Sequence, residues 1–184
     1  NLVLFTIFNQ ADENLPYQGI HIQQVMDQAK ALKIDLLLVP QKDPSNDAYT
    51  SAVFDGLKEL ESIVKGNRRK ASAEISSSQL ELSLAFGDVK NEVCRSWRQS
   101  MFSETPYETI FPIWNMQTED MLEELSSQKE SWRVEVARCT SADQGSDSVA
   151  IEYNEEFIGT LPEGSSPIGE MGEFDTFVKY IPSS

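Results

Sequence analysis

Leu2-Val3-Leu4-Phe5-Thr6-Ile7-Phe8 is apolar at almost every position rather than at alternate ones. A strand presents successive side chains to opposite faces, so a run of this kind has to be buried on both. The same holds for Asp35-Leu36-Leu37-Leu38-Val39-Pro40. Between the two, from about Gly19 to Lys33, Ile20, Val25, Met26, Ala29 and Leu32 recur at the spacing of one helix face. Strand, helix, strand in that order predicts a right-handed βαβ unit with parallel strands. Doubly buried strands need helices on both sides of the sheet, which is the three-layer α/β arrangement.

The alternation continues along the chain. Pro44-Ser45-Asn46-Asp47 is a helix start, and Val53, Phe54, Leu57, Leu60, Ile63 and Val64 carry an apolar stripe to Gly66. Lys65-Gly66-Asn67-Arg68-Arg69-Lys70, with the Ser-rich stretch to Gln79, reads as a solvated surface loop. A third strand is expected over Leu80–Phe86, a helix over Asn91–Phe102, and a short strand over Thr109–Pro112. Thr118 opens an acid-headed helix through Leu125, the sign that the helix dipole favours. Trp132–Arg138 alternates as a strand does, residues 140–148 read as loop, Asn154–Leu161 as a short helix, and Phe174–Ile181 as the last strand. Such an order predicts a largely parallel, twisted sheet, with ligands outside the carboxyl ends of its strands.

Composition narrows the function classes. With 30 acidic and 15 basic residues the formal net charge is -15, a surface that repels phosphate backbones and anionic lipid. DNA and RNA are therefore disfavoured as partners. No apolar run approaches the roughly 20 residues of a membrane span. Cys94 and Cys139 lie far apart and form no CxxC pair, which argues against a disulfide framework or thiolate zinc site and for a reducing, cytoplasmic setting. His21 is the single histidine, so neither a multi-histidine metal site nor, without a serine nucleophile signature near it, a hydrolase triad is supported. A surface or capping role fits it better.

Three segments carry residues suited to chemistry. In Gly169-Glu170-Met171-Gly172-Glu173-Phe174 two glycines space two carboxylates on backbone that tolerates positive φ, ahead of a strand-like run; a solvated turn has the same composition. In Phe86-Gly87-Asp88, Gly87 permits a sharp strand exit, and Asp88 is placed to orient a metal, an amine or a ribose hydroxyl, or simply to cap the next helix. Arg95 and Arg98, three apart, share a helix face and could reach one anion, or be solvated. Phe111-Pro112-Ile113-Trp114 sets a tryptophan after a proline-ended strand, as core or as a stacking wall.

Taken together these segments resemble the diphthine–ammonia ligase-like branch of the N-type ATP pyrophosphatases, the PP-loop superfamily, over nearly the whole chain. Thr6-Ile7-Phe8-Asn9 with Gln18-Gly19-Ile20-His21 is similar to the family's second strand and second helix start. Phe86-Gly87-Asp88 through Arg98 is similar to its GD…R…WR segment, Phe111–Trp114 to its FPLW, and Gly169–Phe174 to its GE-x-GEF signature. The resemblance implies a parallel, five-stranded adenine-nucleotide-binding sheet of the HUP, Rossmann-like type, with a smaller C-terminal α+β portion. It divides the chain into a nucleotide-binding core, 1–108, and a substrate-side portion, 109–184. It implies ATP and Mg²⁺, adenylation of a carboxylate with loss of pyrophosphate, and attack by ammonia. Asp88, Glu170 and Glu173 would hold metal (Asp88), ammonium or acyl substrate. Gly87, Arg95, Arg98 and Trp114 would serve the nucleotide, and Gly169, Gly172 and Phe174 the substrate. The carboxylate-bearing substrate could be a protein such as elongation factor 2; a degenerate, non-catalytic nucleotide- or protein-binding relative is the alternative.

The family's Ser-Gly-Gly-Lys-Asp-Ser phosphate loop has no counterpart here, and the chain opens at the family's second strand. The resemblance therefore implies a polypeptide that continues upstream by on the order of 30–40 residues, the size of a strand-plus-helix unit. A sheet lacking that strand has two open edges, which gives an edge-to-edge homodimer a place to form. Gln18 stands where the family has histidine, Asn115 where it has glycine, Ile168 for cysteine and Asp175 for histidine.

Overall fold

The computed structural model describes residues 2–71, 82–127, 132–139 and 151–180, which form a mixed α/β protein with small sheets. β1 (Val3–Asn9), α1 (Ile22–Leu32) and β2 (Asp35–Gln41) are the expected βαβ unit, with β1 and β2 parallel and in register from Val3 opposite Asp35 to Asn9 opposite Gln41. His21 caps α1: its Nδ1 accepts the Gln23 N–H at 3.1 Å, and Gln24 reaches back to the His21 N–H. That is a capping box with histidine in the usual serine place. Lys33 ends the helix in the left-handed region, φ 55°.

α2 (Asn46–Ala71) crosses the first pair. Gly56 lets it approach closely, because a Cβ there would sit 2.5 Å from Val39 and 2.7 Å from the Phe5 ring. The helix runs five residues past Gly66, so the basic run expected in a loop is helical in its backbone. One glycine costs about 1 kcal/mol relative to alanine, too little to stop a helix followed by good formers such as Arg and Lys. The Ser-rich stretch beyond it, and the polar loop expected over 140–148, lie outside the described residues.

β3 (Ser83–Ala85) and β4 (Glu108–Ile110) form a second parallel pair, joined through α3 (Glu92–Phe102). β4 contains the 108/109 division between the two expected portions. Ile7, Val39, Ala52, Val53, Leu57 and Phe102 make one core, against which Leu82, Leu84 and Phe86 also pack. The two parallel pairs thus share a core, yet each remains two-stranded among the described residues.

The expected single, largely parallel sheet does not extend into the C-terminal half. After α4 (Thr118–Ser127), β5 (Trp132–Cys139) pairs antiparallel with β6 (Ile151–Glu152) on one side and β7 (Phe174–Tyr180) on the other, with α5 (Glu155–Thr160) between β6 and β7. Trp132, Val134 and Val136 alternate with Arg133, which is exposed, and with Glu135, which is buried and lies 3.6 Å from Lys179 of β7. Val136, Phe157 and Phe174 form its small core. Gln28 of α1 donates to the Val178 carbonyl of β7 at 2.7 Å, joining the two halves. No helix among the described residues is long and apolar enough to cross a membrane.

Candidate functional site

Because β3 and β4 are parallel, the chain leaves both at the same edge. The Phe86 N–H still donates to Ile110 O at 3.0 Å, and directly beyond it Gly87-Asp88 and Phe111–Trp114 emerge side by side. Gly87 is not in the left-handed region, and a Cβ there would meet nothing; the strained residue of this loop is Lys90, φ 49°. Asn91 then caps α3 by accepting the Cys94 N–H at 3.1 Å. That leaves Asp88 for another purpose.

Asp88 takes Arg98. The guanidinium donates from Nε to Oδ2 at 2.6 Å and from Nη2 to Oδ1 at 3.3 Å, with the Asp88 side chain only 13% exposed and that of Arg98 24%. Arg98 also lies over the Phe86 ring, 4.5 Å from its centroid. Burial works against its charge, but the Asp88 carboxylate and the Tyr49 hydroxyl outweigh that and raise its pKa above the ordinary arginine value. One turn earlier Arg95 is held differently, its guanidinium 4.4 Å from the Trp114 ring centroid and 5.3 Å from that of Phe111. Trp114 reaches it because a tight turn, Trp114 N–H to Phe111 O at 3.2 Å, folds the chain back. Trp114 is neither plain core nor an open stacking wall; it is the floor beneath an arginine.

The glycine-carboxylate loop is built around Glu173. Its Oε1 accepts the Ser166 N–H and its Oε2 the Met171 N–H, each at 3.0 Å. Partial burial pushes this carboxyl up, while the backbone N–H groups of Ser166, Glu173 itself and Met171 pull it down further, leaving it below the ordinary glutamate value. Gly169 and Gly172 are both left-handed, φ 69° and 82°, as the spacing predicts. Gly169 is needed twice over, since a Cβ would lie 2.6 Å from the Phe174 carbonyl oxygen. Phe174 itself is 4% exposed and sits in the core with Phe157, ring centroids 5.1 Å apart. Tyr153 closes the loop from below by donating to Pro167 O at 2.6 Å. Glu170 Oε1 is buried without a hydrogen-bond partner.

The structure thus brings Asp88 to Arg98 and Arg95 to Trp114 at one strand edge, while Gly169, Glu170, Gly172, Glu173 and Phe174 share a loop on the antiparallel sheet. Among the described residues no three His, Cys, Asp or Glu side chains are grouped to hold a metal. With both Asp88 oxygens on Arg98, these residues do not build a Mg²⁺ site of their own. A phosphate group is better served, because the Arg95 guanidinium lies against two rings and, among the described residues, has no carboxylate within ion-pair distance. Phe86 and Phe111 lie in the segments singled out from the sequence, which assigned them no part in holding the arginines, and Tyr153 carried no such signal. No protein-family model matches the chain, and no curated protein matches it.

Proposed function

We propose that this chain is an ATP-binding protein of the PP-loop ATP pyrophosphatase type, serving an ATP-dependent carboxylate–ammonia ligation, with residues 1–108 on the nucleotide side and 109–184 on the substrate side. The observation that carries it is the meeting of two segments distant in sequence, Phe86–Arg98 and Phe111–Trp114, at the carboxyl edge of one parallel strand pair. That is where α/β sheets bind ligands. On this reading the two parallel pairs are parts of one three-layer, HUP-type sheet. In support, β1 and β3 each have one strand neighbour among the described residues and face a common core. ATP supplies the activating adenylyl group, its pyrophosphate leaves, and ammonia displaces AMP from the acyl carbon. Arg95 binds phosphate, and Glu170 offers a buried acceptor to ammonium or amine.

A nucleotide- or protein-binding module without turnover is the second reading, favoured by the engagement of Asp88 with Arg98. The native polypeptide incubated with Mg·ATP and ammonium salts tests the choice. Pyrophosphate release that depends on an added acyl substrate supports ligation. Saturable ATP binding with no release supports the binding module, and absence of both removes the nucleotide reading.

A further inference from the structure

The antiparallel sheet runs β6-β5-β7, so β7 pairs with β5 along one edge and has no strand neighbour on the other among the described residues. Its seven residues, Phe-Asp-Thr-Phe-Val-Lys-Tyr, hold no proline and no glycine, and the charges of Asp175 and Lys179 cancel. Such a segment is well suited to accept a further strand. What meets the outer edge among the described residues is Gln28 of α1, which donates from Nε2 to the Val178 carbonyl at 2.7 Å. Alternate residues of a strand turn their backbone groups to opposite edges. With Val178 O facing α1, the N–H and C=O groups of Thr176 and Val178 lie on the outer edge, and those of Phe177 face β5.

The strand is also complementary to itself. Two copies laid antiparallel about Phe177 set Asp175 opposite Lys179, Thr176 opposite Val178, and Phe177 opposite its own equivalent. Thr176 and Val178 then make the hydrogen-bonded pairs, because theirs are the outward groups. Asp175, Phe177 and Lys179 fall in the non-hydrogen-bonded pairs, where facing side chains approach most closely. A slip of two residues loses the match of acid to base. Lys179 is accessible for it, with a side chain 65% exposed and a contact of 3.6 Å to Glu135. We infer that β7 is a homodimerisation edge, through which two three-stranded sheets join as one, and that Gln28 is its stop. The Gln28 amide holds the carbonyl that the second copy's Thr176 N–H takes on pairing, so α1 has to yield there before the strands meet. This edge is separate from those of β1 and β3, and the inference does not depend on the nucleotide reading.

Sedimentation velocity of the full chain over a range of concentrations tests it, with wild type, Gln28→Ala and Asp175→Lys, each checked for folding by circular dichroism. A dimer that tightens about 10-fold or more in Gln28→Ala is the expected result, since each copy then has one hydrogen bond fewer to give up. Asp175→Lys sets lysine against Lys179 twice in each dimer and should weaken it. Cross-linking reads the register without relying on that variant. With Cys94 and Cys139 replaced by serine, Phe177→Cys should oxidise to a disulfide-linked dimer, because residues so paired have Cα atoms about 4.5 Å apart. Thr176→Cys, off the symmetry axis, should not. Wild type and Gln28→Ala that both stay monomeric at every concentration overturn the inference. A dimer that Gln28→Ala leaves unchanged, or one in which Thr176→Cys and Phe177→Cys cross-link equally, overturns it as well.

Discussion

Asp88 and Arg98, ten residues apart, are joined through both carboxylate oxygens, at 2.6 and 3.3 Å, on the side of α3 that faces the core. A pair of this geometry tolerates the loss of both partners better than the loss of one, which strands a charge. Asp88→Asn should therefore lower stability by about 2 kcal/mol, the scale of a charged hydrogen bond. Urea unfolding would show it as a lower midpoint at constant slope. A double-mutant cycle with Arg98→Met should recover most of the loss; simple additivity of the two would mean that the pair is not coupled.

Gly56→Ala should destabilise even though alanine is the better helix former by about 1 kcal/mol. Its Cβ would meet Val39 Cγ2 at 2.5 Å and the Phe5 ring at 2.7 Å, and overpacking of this kind costs about 1–3 kcal/mol. The net effect is expected as a lower melting temperature. A higher one would show that α2 can shift off β2 freely.

The two loop glycines should differ. Gly172→Ala meets only the left-handed backbone penalty, about 1–2 kcal/mol, since nothing lies within 4 Å of its Cβ. Gly169→Ala adds a contact of 2.6 Å with the Phe174 carbonyl, which is backbone and cannot rotate away. It should be the more damaging of the two by thermal unfolding, and equal effects would remove the contact from consideration.

Glu173 gives the protein an acid limb. Its folded pKa is depressed, so its contribution is complete above the ordinary glutamate pKa of about 4.3 and is lost as pH falls through the lower folded value. Glu173→Gln should lower stability near neutrality and flatten the pH dependence below about pH 4.3. An unchanged acid profile in the variant would mean that the backbone N–H bonds to Glu173 are not made in solution.

The first half of the fold was legible because its strands announce themselves. Leu2–Phe8 and Asp35–Pro40 are apolar throughout, and only doubly covered parallel strands need that. In β5 the alternation of Trp132, Val134 and Val136 identifies a strand, but Glu135 between them is buried, so the pattern does not say which faces are covered. β6 is two residues long, and no periodicity can be read from Ile151-Glu152. At the candidate site, the (i, i+3) spacing put Arg95 and Arg98 on one face but could not say which would find an acid. That depends on where Asp88 and Trp114 arrive, and both are set by the parallel pairing of β3 with β4. Glu173 reads in sequence as a ligand-facing carboxylate, whereas it holds the loop's own N–H groups, which only the turn geometry reveals.

The Gln28–Val178 bond spans 150 residues. At roughly 5–20 residues per second, the ribosome delivers Val178 some 8–30 s after Gln28. Until then the α1 face that β7 covers must wait, with Gln28 facing solvent or a surrogate. Cells that make this protein faster than they can shield that interval should lose some of it to misassembly at α1.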